Sequence, residues 1–207
     1  MKCFEFFFSM KWPSGFACDH CNCHDYYIIR RVGKTKTSYI VECKECHRQH
    51  SVLAGTVFES CKLDLYKLLL GIFLFFNENK GINAIDLCSH LDVNYRTASF
   101  LETKCRILVK VNNENINYKE SNHWLYWLNT IIGNVKNNIK GIYHGVVKRE
   151  MPLFLNEQEY RFNHRYTGKQ TMNKVKEYLQ RSFPVSHRQI VYLLNISLPY
   201  FSSTCWL

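Results

Sequence analysis

Two short cysteine pairs constrain this chain more than any other feature. They are Cys18-Asp19-His20-Cys21 and Cys43-Lys44-Glu45-Cys46, a C-x2-C-x21-C-x2-C arrangement with 21 residues between the pairs. Each pair offers two sulfurs to one ion, and the intervening segment is long enough for a β-hairpin that brings the pairs together. Thiolates are soft zinc ligands, and four of them leave no open coordination position, so the expected cofactor is a structural zinc. The expected ligands are Cys18, Cys21, Cys43 and Cys46. Cys23, His20 and His24 crowd the first knuckle, which leaves open an exchange that brings Cys23 into the ligand set. The competing reading is a redox Cys-x-x-Cys pair or incidental thiols.

Ten cysteines would suit a secreted disulfide scaffold. The segment Met1 to Met10 lacks the basic flank, apolar run and small-residue cleavage site of a secretory signal. Cys61, Cys88, Cys105 and Cys205 stand singly among apolar neighbours, as buried free thiols do. The expected compartment is therefore the reducing cytoplasm, with nucleoid association if the source is bacterial. The most apolar stretch, Leu65 to Phe76, is 12 residues long. It is too short to cross a bilayer and reads as a buried helix, so no membrane partner is expected.

The net charge is +10 and unevenly placed. Residues 1–92 carry 11 basic and 10 acidic side chains, a net of +1, whereas residues 93–207 carry 16 and 7, a net of +9. A basic excess confined to one part of a chain favours a polyanion, with nucleic acid first, over a merely soluble surface.

Along the chain, an aromatic lead ends in the turn Trp12-Pro13-Ser14-Gly15. Tyr26 to Arg30 and Ser38 to Glu42 read as strands around a turn at Gly33-Lys34-Thr35, and His50 to Leu53 could add a third. Leu63 to Asn77 is apolar on nearly every face and reads as a central helix. Asn83, with Asp86 three residues on, caps a second helix whose inner face is Ala84, Ile85, Cys88 and Leu91. After the turn Leu91-Asp92-Val93-Asn94, a third helix places Ala98, Leu101, Cys105 and Leu108 on one face. Three helices with a short turn before the last make a helix-turn-helix.

Asn94, Tyr95, Arg96, Thr97, Ser99, Thr103 and Lys104 would lie at the start and along the polar face of that third helix. Arg reads guanine and Asn reads adenine in a major groove, while Ser, Thr and Lys hold phosphates. A plain three-helix bundle with a solvated face is the alternative. Beyond it, residues 110–123 are Asn-rich and polar, Trp124 to Ile139 is helical in pattern, Arg161-Phe162-Asn163-His164-Arg165 is a basic-aromatic cluster, and Met172 to Phe183 is amphipathic. No Asp occurs from Val93 to Leu207. Two-metal phosphoryl transfer requires carboxylates to hold its ions, and the Glu residues remaining there (Glu102, Glu114, Glu120, Glu150, Glu157, Glu159, Glu177) are scattered.

Four stretches together resemble a known family. They are Trp12-Pro13-Ser14-Gly15-Phe16 leading into the first knuckle; Cys43 to Ser51 followed by Gly55-Thr56-Val57-Phe58; Lys80-Gly81-Ile82-Asn83-Ala84 through Leu91 and on to Ala98; and Asn134-Val135-Lys136 through Gly145, ending in Arg161 to Arg165. The chain resembles bacterial insertion-sequence transposases with an N-terminal zinc ribbon, relatives of the eukaryotic Merlin elements. The resemblance implies an RNase H-like catalytic core with two Asp and a third residue, Glu or Asn. Asn134 falls where that third residue would lie, with Lys136 beside it, and both are vestigial positions if the Asp pair is gone. Only a polar segment from about Lys110 to His123 stands where the Asp-bearing region should be, as after an internal deletion.

The expected fold is therefore α+β. A zinc ribbon at 1–60, a helix-turn-helix bundle at 61–110 and a polar linker at 111–123 would precede a mostly helical remnant of an RNase H-like domain at 124–207. That remnant, stripped of its sheet, would leave Trp124, Trp127, Tyr143 and Phe154 poorly buried. The expected function is recognition of transposon-end duplex DNA without strand transfer, as a homo-oligomer or paired with a full-length transposase. An active enzyme using Glu residues or an oligomeric site, with magnesium, and a zinc-ribbon protein-interaction module are the alternatives.

Overall fold

A computed structural model of the chain describes residues 2–33, 37–78, 81–113, 124–164 and 171–195. The expected turn at Lys34-Thr35, the side chains of Trp124 and Trp127, most of the polar linker, Arg165 and the tail Leu198 to Leu207 lie outside the described residues. The elements run α1 (Lys2–Lys11), β1 (Tyr26–Val32), β2 (Thr37–Cys43), β3 (Gln49–Ser51), α2 (Leu65–Asn77), α3 (Ala84–Leu91), α4 (Tyr95–Asn113), α5 (Trp124–Gly141), α6 (Met151–Asn163), α7 (Thr171–Arg181) and α8 (His187–Asn195). This is the α+β architecture expected, with one small sheet followed by helices.

The sheet is antiparallel in the order β1-β2-β3. Its register pairs Tyr26 with Cys43 and Ile29 with Ile40. The aromatic lead, to which the sequence pattern assigns no element, is a helix. Phe4, Phe7 and Met10 bury one face of it, while Phe4 stacks near Tyr39 and Phe8 near Tyr26. Neighbouring Phe6, Phe7 and Phe8 blur the helical period, so the pattern hides in the sequence.

α2 is the hub. Asp64 caps it by accepting a hydrogen bond from the Tyr66 amide, and Leu68, Ile72 and Phe75 are fully buried along it. Gly71 lets α3 and α4 approach closely, because a Cβ there would fall 2.5 Å from Leu101 Cδ2 and 3.0 Å from Leu91 Cδ1. Asn83 caps α3 as expected, accepting from the Asp86 amide at 2.8 Å. Caps of this kind contribute about 1 kcal/mol each. Asp92 takes a left-handed conformation, φ 48°, to end α3 and turn the chain into α4.

The C-terminal helices do not hang from this bundle. Leu153, Phe154, Val175 and Leu179 are buried, and α7 packs against α1, α2 and α4. Lys176 donates to Ser9 Oγ at 2.9 Å and Gln180 donates to the Met10 carbonyl at 2.9 Å. The expectation of a poorly buried remnant is therefore corrected for Phe154, which is wholly enclosed, and for Tyr143, which is half-buried.

What docks α6 is a buried ionic network. Glu157 on α6 is inaccessible to solvent. Its Oε2 accepts from Arg106 Nε on α4 at 2.7 Å, and its Oε1 accepts from Arg161 Nη2 at 2.8 Å and from Tyr143 Oη at 2.6 Å. Arg106 also donates to Glu102 at 2.6 Å, and Arg161 donates to the Phe75 carbonyl at 2.9 Å and to the Glu78 carbonyl at the end of α2. The basic-aromatic cluster at Arg161 is thus interior wiring. Burial works against ionisation of Glu157, but Arg161 and Arg106 outweigh it and hold the carboxyl below its ordinary range. Burial pushes Glu102 the other way, up to about 7, opposed by Arg106 and reinforced by Glu157 and Glu150.

Two outcomes follow from this network. Glu157→Ala leaves buried Arg161 without a carboxylate and Arg106 with Glu102 as its close one, and should cost about 3–5 kcal/mol in urea unfolding. Glu102 in the folded chain keeps its proton to higher pH than in the unfolded chain. Its contribution is full below pH 4.5 and is lost as pH rises toward 7. Glu102→Gln should therefore flatten the decline of Tm across that interval, and an unchanged pH profile of Tm would contradict the assignment.

Candidate metal centre and nucleic-acid interface

The two knuckles are built alike. Cys18 and Cys43 each donate their amide to the carbonyl five residues on, Cys23 and Arg48, at 3.0 Å. Each accepts at its carbonyl from the residue four on, Asn22 at 3.0 Å and His47 at 3.1 Å. Asn22 and His47 both adopt left-handed backbone, φ 56° and 55°. Asn tolerates that region, and here it lets each turn tighten under its two sulfurs. The β1–β2 hairpin carries the second knuckle to the first, and the Lys44 amide donates to the Asp25 carbonyl at 3.1 Å to fix the join.

The four sulfurs of Cys18, Cys21, Cys43 and Cys46 all lie within 4.8 Å of one another. Cys18 and Cys46 are 3.5 Å apart, and Cys21 and Cys43 are 3.4 Å apart. Tetrahedral zinc with bonds of about 2.3 Å sets its sulfurs about 3.8 Å apart, so the donor set fits the ion. The amides of Cys46 and Glu45 point at Cys43 and, against burial, bring its thiol down to about 6. Its neighbour Cys21 is pushed the other way, up to about 12, so the clustered thiols hold their protons unequally and Cys43 ionises first. Cys23 stands outside this four-sulfur group and is engaged instead by the Asp25 amide at 3.3 Å.

His50 is a member of the centre that the spacing did not reveal. It is buried, with Nε2 3.5 Å from Cys18 Sγ and Nδ1 3.7 Å from Asp19, between the rings of Trp12 and Phe16. Its signal in the sequence is weak, because it follows Cys46 by four residues and His47 stands nearer. Its place beside a sulfur suits a group that orients a ligand from the second layer.

α3, the Leu91–Asn94 turn and α4 have the connectivity of a helix-turn-helix. Tyr95 is 59% exposed, Arg96 is exposed, and Thr97 and Ser99 are half-buried. Asn94 accepts from the Thr97 amide at 2.8 Å, so its oxygen caps α4 instead of facing outward. Lys104 is a correction. It is 2% exposed, its Nζ donates to the Glu59 carbonyl at 3.3 Å, and it sits 4.9 Å from the Phe100 ring. It turns inward because α4 is covered on that side by the segment from Phe58 to Leu63. Half-buried Thr103 donates to the Ser99 carbonyl at 2.9 Å. Asn134 and Lys136 lie exposed on α5.

The converging thiols of Cys18, Cys21, Cys43 and Cys46 at the end of a small antiparallel sheet give the chain the architecture of a zinc ribbon. Residues 1–49 match the transposase zinc-ribbon domain model, and residues 95–163 match the ISXO2-like transposase domain model. The ribbon and the α4–α6 segment are thus each similar to a domain of insertion-sequence transposases. An 88-residue stretch is 28% identical to an uncharacterized protein in transposable element ISH50 of Halobacterium salinarum. The match spans 42% of this chain and 28% of that protein's length. No solved structure matches the chain. None of the described helices is long and apolar enough to cross a membrane.

Cys43→Ser should abolish stoichiometric zinc in the purified protein, measured by atomic emission. Cys23→Ser should leave it intact, and loss of zinc in both variants would reassign the ligands.

Proposed function

We propose that this chain binds the duplex DNA of transposon ends through its zinc ribbon and helix-turn-helix, and does not itself cut or join strands. The ribbon at 1–60 and bundle at 61–110 would form the reading half, and 124–207 would be the helical remnant of a catalytic domain. The observation that carries this reading is the pairing of a complete four-thiolate centre with α4 ends that expose Tyr95 and Arg96. N-terminal residues of a recognition helix are the ones that meet base edges.

The absence of strand transfer rests on chemistry. The span from Val93 to Leu207 has no Asp. Of the Glu residues in it, Glu102 and Glu157 are already spent on Arg106, with Glu150 at 4.0 Å from the same guanidinium. Carboxylates neutralised by a buried Arg are poor ligands for a pair of magnesium ions. Among the described residues, both groups suited to a metal belong to the ribbon. Such a protein would act at the nucleoid, occupying ends alone or beside a full-length transposase.

Binding to terminal-repeat duplexes should weaken steeply with salt, because each phosphate contact releases counterions. Arg96→Ala should cost about 1–3 kcal/mol on the preferred site and less on random sequence. Equal loss on both would reassign Arg96 to the backbone, and nicking of the same duplex in magnesium would overturn the inactive reading.

A further inference from the structure

A cleft of about 540 Å³ opens beside the exposed start of α4. One wall is α4 itself, with Arg96, Ser99 and Phe100; the others are the Cys61–Leu63 segment, Arg149 and the α8 residues Ile190 and Val191. Its charged lining residues are Lys62, Arg96, Lys104 and Arg149, and no carboxylate lines it among the described residues. Lys104 is nearly enclosed, has a carbonyl and a ring as its partners in that wall, and makes no salt bridge among the described residues. A buried ammonium served this sparingly favours an anion within reach. The remaining lining is largely apolar and aromatic, which is more than a bare phosphate or sulfate can use.

We propose that this cleft holds an unpaired stretch of a DNA strand, one or two nucleotides long, with phosphate against the basic rim and a base against the Phe100 wall. The volume lies within the range of small-molecule sites and is far below what a duplex requires. Cationic grooves with aromatic walls are how proteins hold single strands without reading sequence. The cleft lies at the end of α4 that is proposed to meet duplex. A strand frayed from, or overhanging, a bound end therefore has a short path into it. The proposal thus rests on and extends the duplex-binding reading; it shares Arg96 with that reading but adds Lys62 and Arg149, both exposed and placed outside the duplex-reading set.

The test measures fluorescence anisotropy of the intact chain with three labelled probes: a blunt duplex, the same duplex with a four-nucleotide overhang, and a single-stranded oligo-dT. The overhang should tighten binding roughly tenfold over the blunt duplex. The Lys62→Glu/Arg149→Glu variant, with Tm unchanged, should lose that gain and the oligo-dT binding while keeping its blunt-duplex affinity. Equal affinity for blunt and overhanging probes, or a gain that survives in the variant, overturns the cleft. So does an equal loss on the blunt duplex, which would make these residues part of the duplex surface, or competition by an acidic peptide as effective as oligo-dT. If the blunt duplex fails to bind but oligo-dT binds and the variant loses it, the cleft stands and the duplex reading falls.

Discussion

The carboxylate of Glu157 joins three parts of the chain at one buried point. Arg106 reaches it from α4, Arg161 from the next turn of α6, and Tyr143 from the end of α5. Arg161 then carries the link to the last carbonyls of α2, closing a circuit between the central helix and the C-terminal ones. Such a network costs desolvation that apolar packing would not, so its gain lies in geometry. Guanidinium forks accept carboxylates in few orientations, and this one sets the angle at which α6 lies on α4. With α6 placed, the single 3₁₀ turn at Lys148–Glu150 that precedes it brings Arg149 to the cleft and Glu150 toward Arg106.

The ribbon depends on a different constraint. Its sheet has three strands, β3 is three residues long, and Tyr27, Ile28 and Val32 on β1 remain exposed. A sheet of that size cannot hold itself together by burial alone. α1 supplies one layer of packing, and the thiolate centre supplies the cross-link between strand ends. Binding free energy at such a centre is folding free energy, which explains why two turns with the same hydrogen-bond pattern are kept under the sulfurs.

Much of this was legible where the signal is local. Cysteine spacing marked the centre, β-branched and aromatic residues marked β1 and β2, and Asn83 marked the start of α3 through a cap that spans three residues. Legibility failed where partners come from afar. Arg161 and Lys104 carry charge, and charge in a sequence reads as surface. Their burial depends on Phe75, Glu78 and Glu59, which lie 45 to 86 positions away. The α1 helix failed for another reason: three successive Phe residues satisfy a helix, a strand and a loop equally well. His50 joined the centre only because the hairpin register sets it opposite Val41, whose neighbours lead back to Cys43.

The C-terminal helices depend on distant partners in the same way. Phe154, Val175 and Leu179 are enclosed, and one hydrophobic core runs from Phe4 to Ile190. The enclosure is achieved by α7, which lies across α1, α2 and α4 at once, tying the C-terminal part to the ribbon side and the bundle together. Within this frame Glu102 and Glu157 lie inward as partners of arginines, whereas Lys62, Arg96 and Arg149 line one cleft beside α4. That convergence of cations concentrates positive potential at the cleft, where an anion would be drawn.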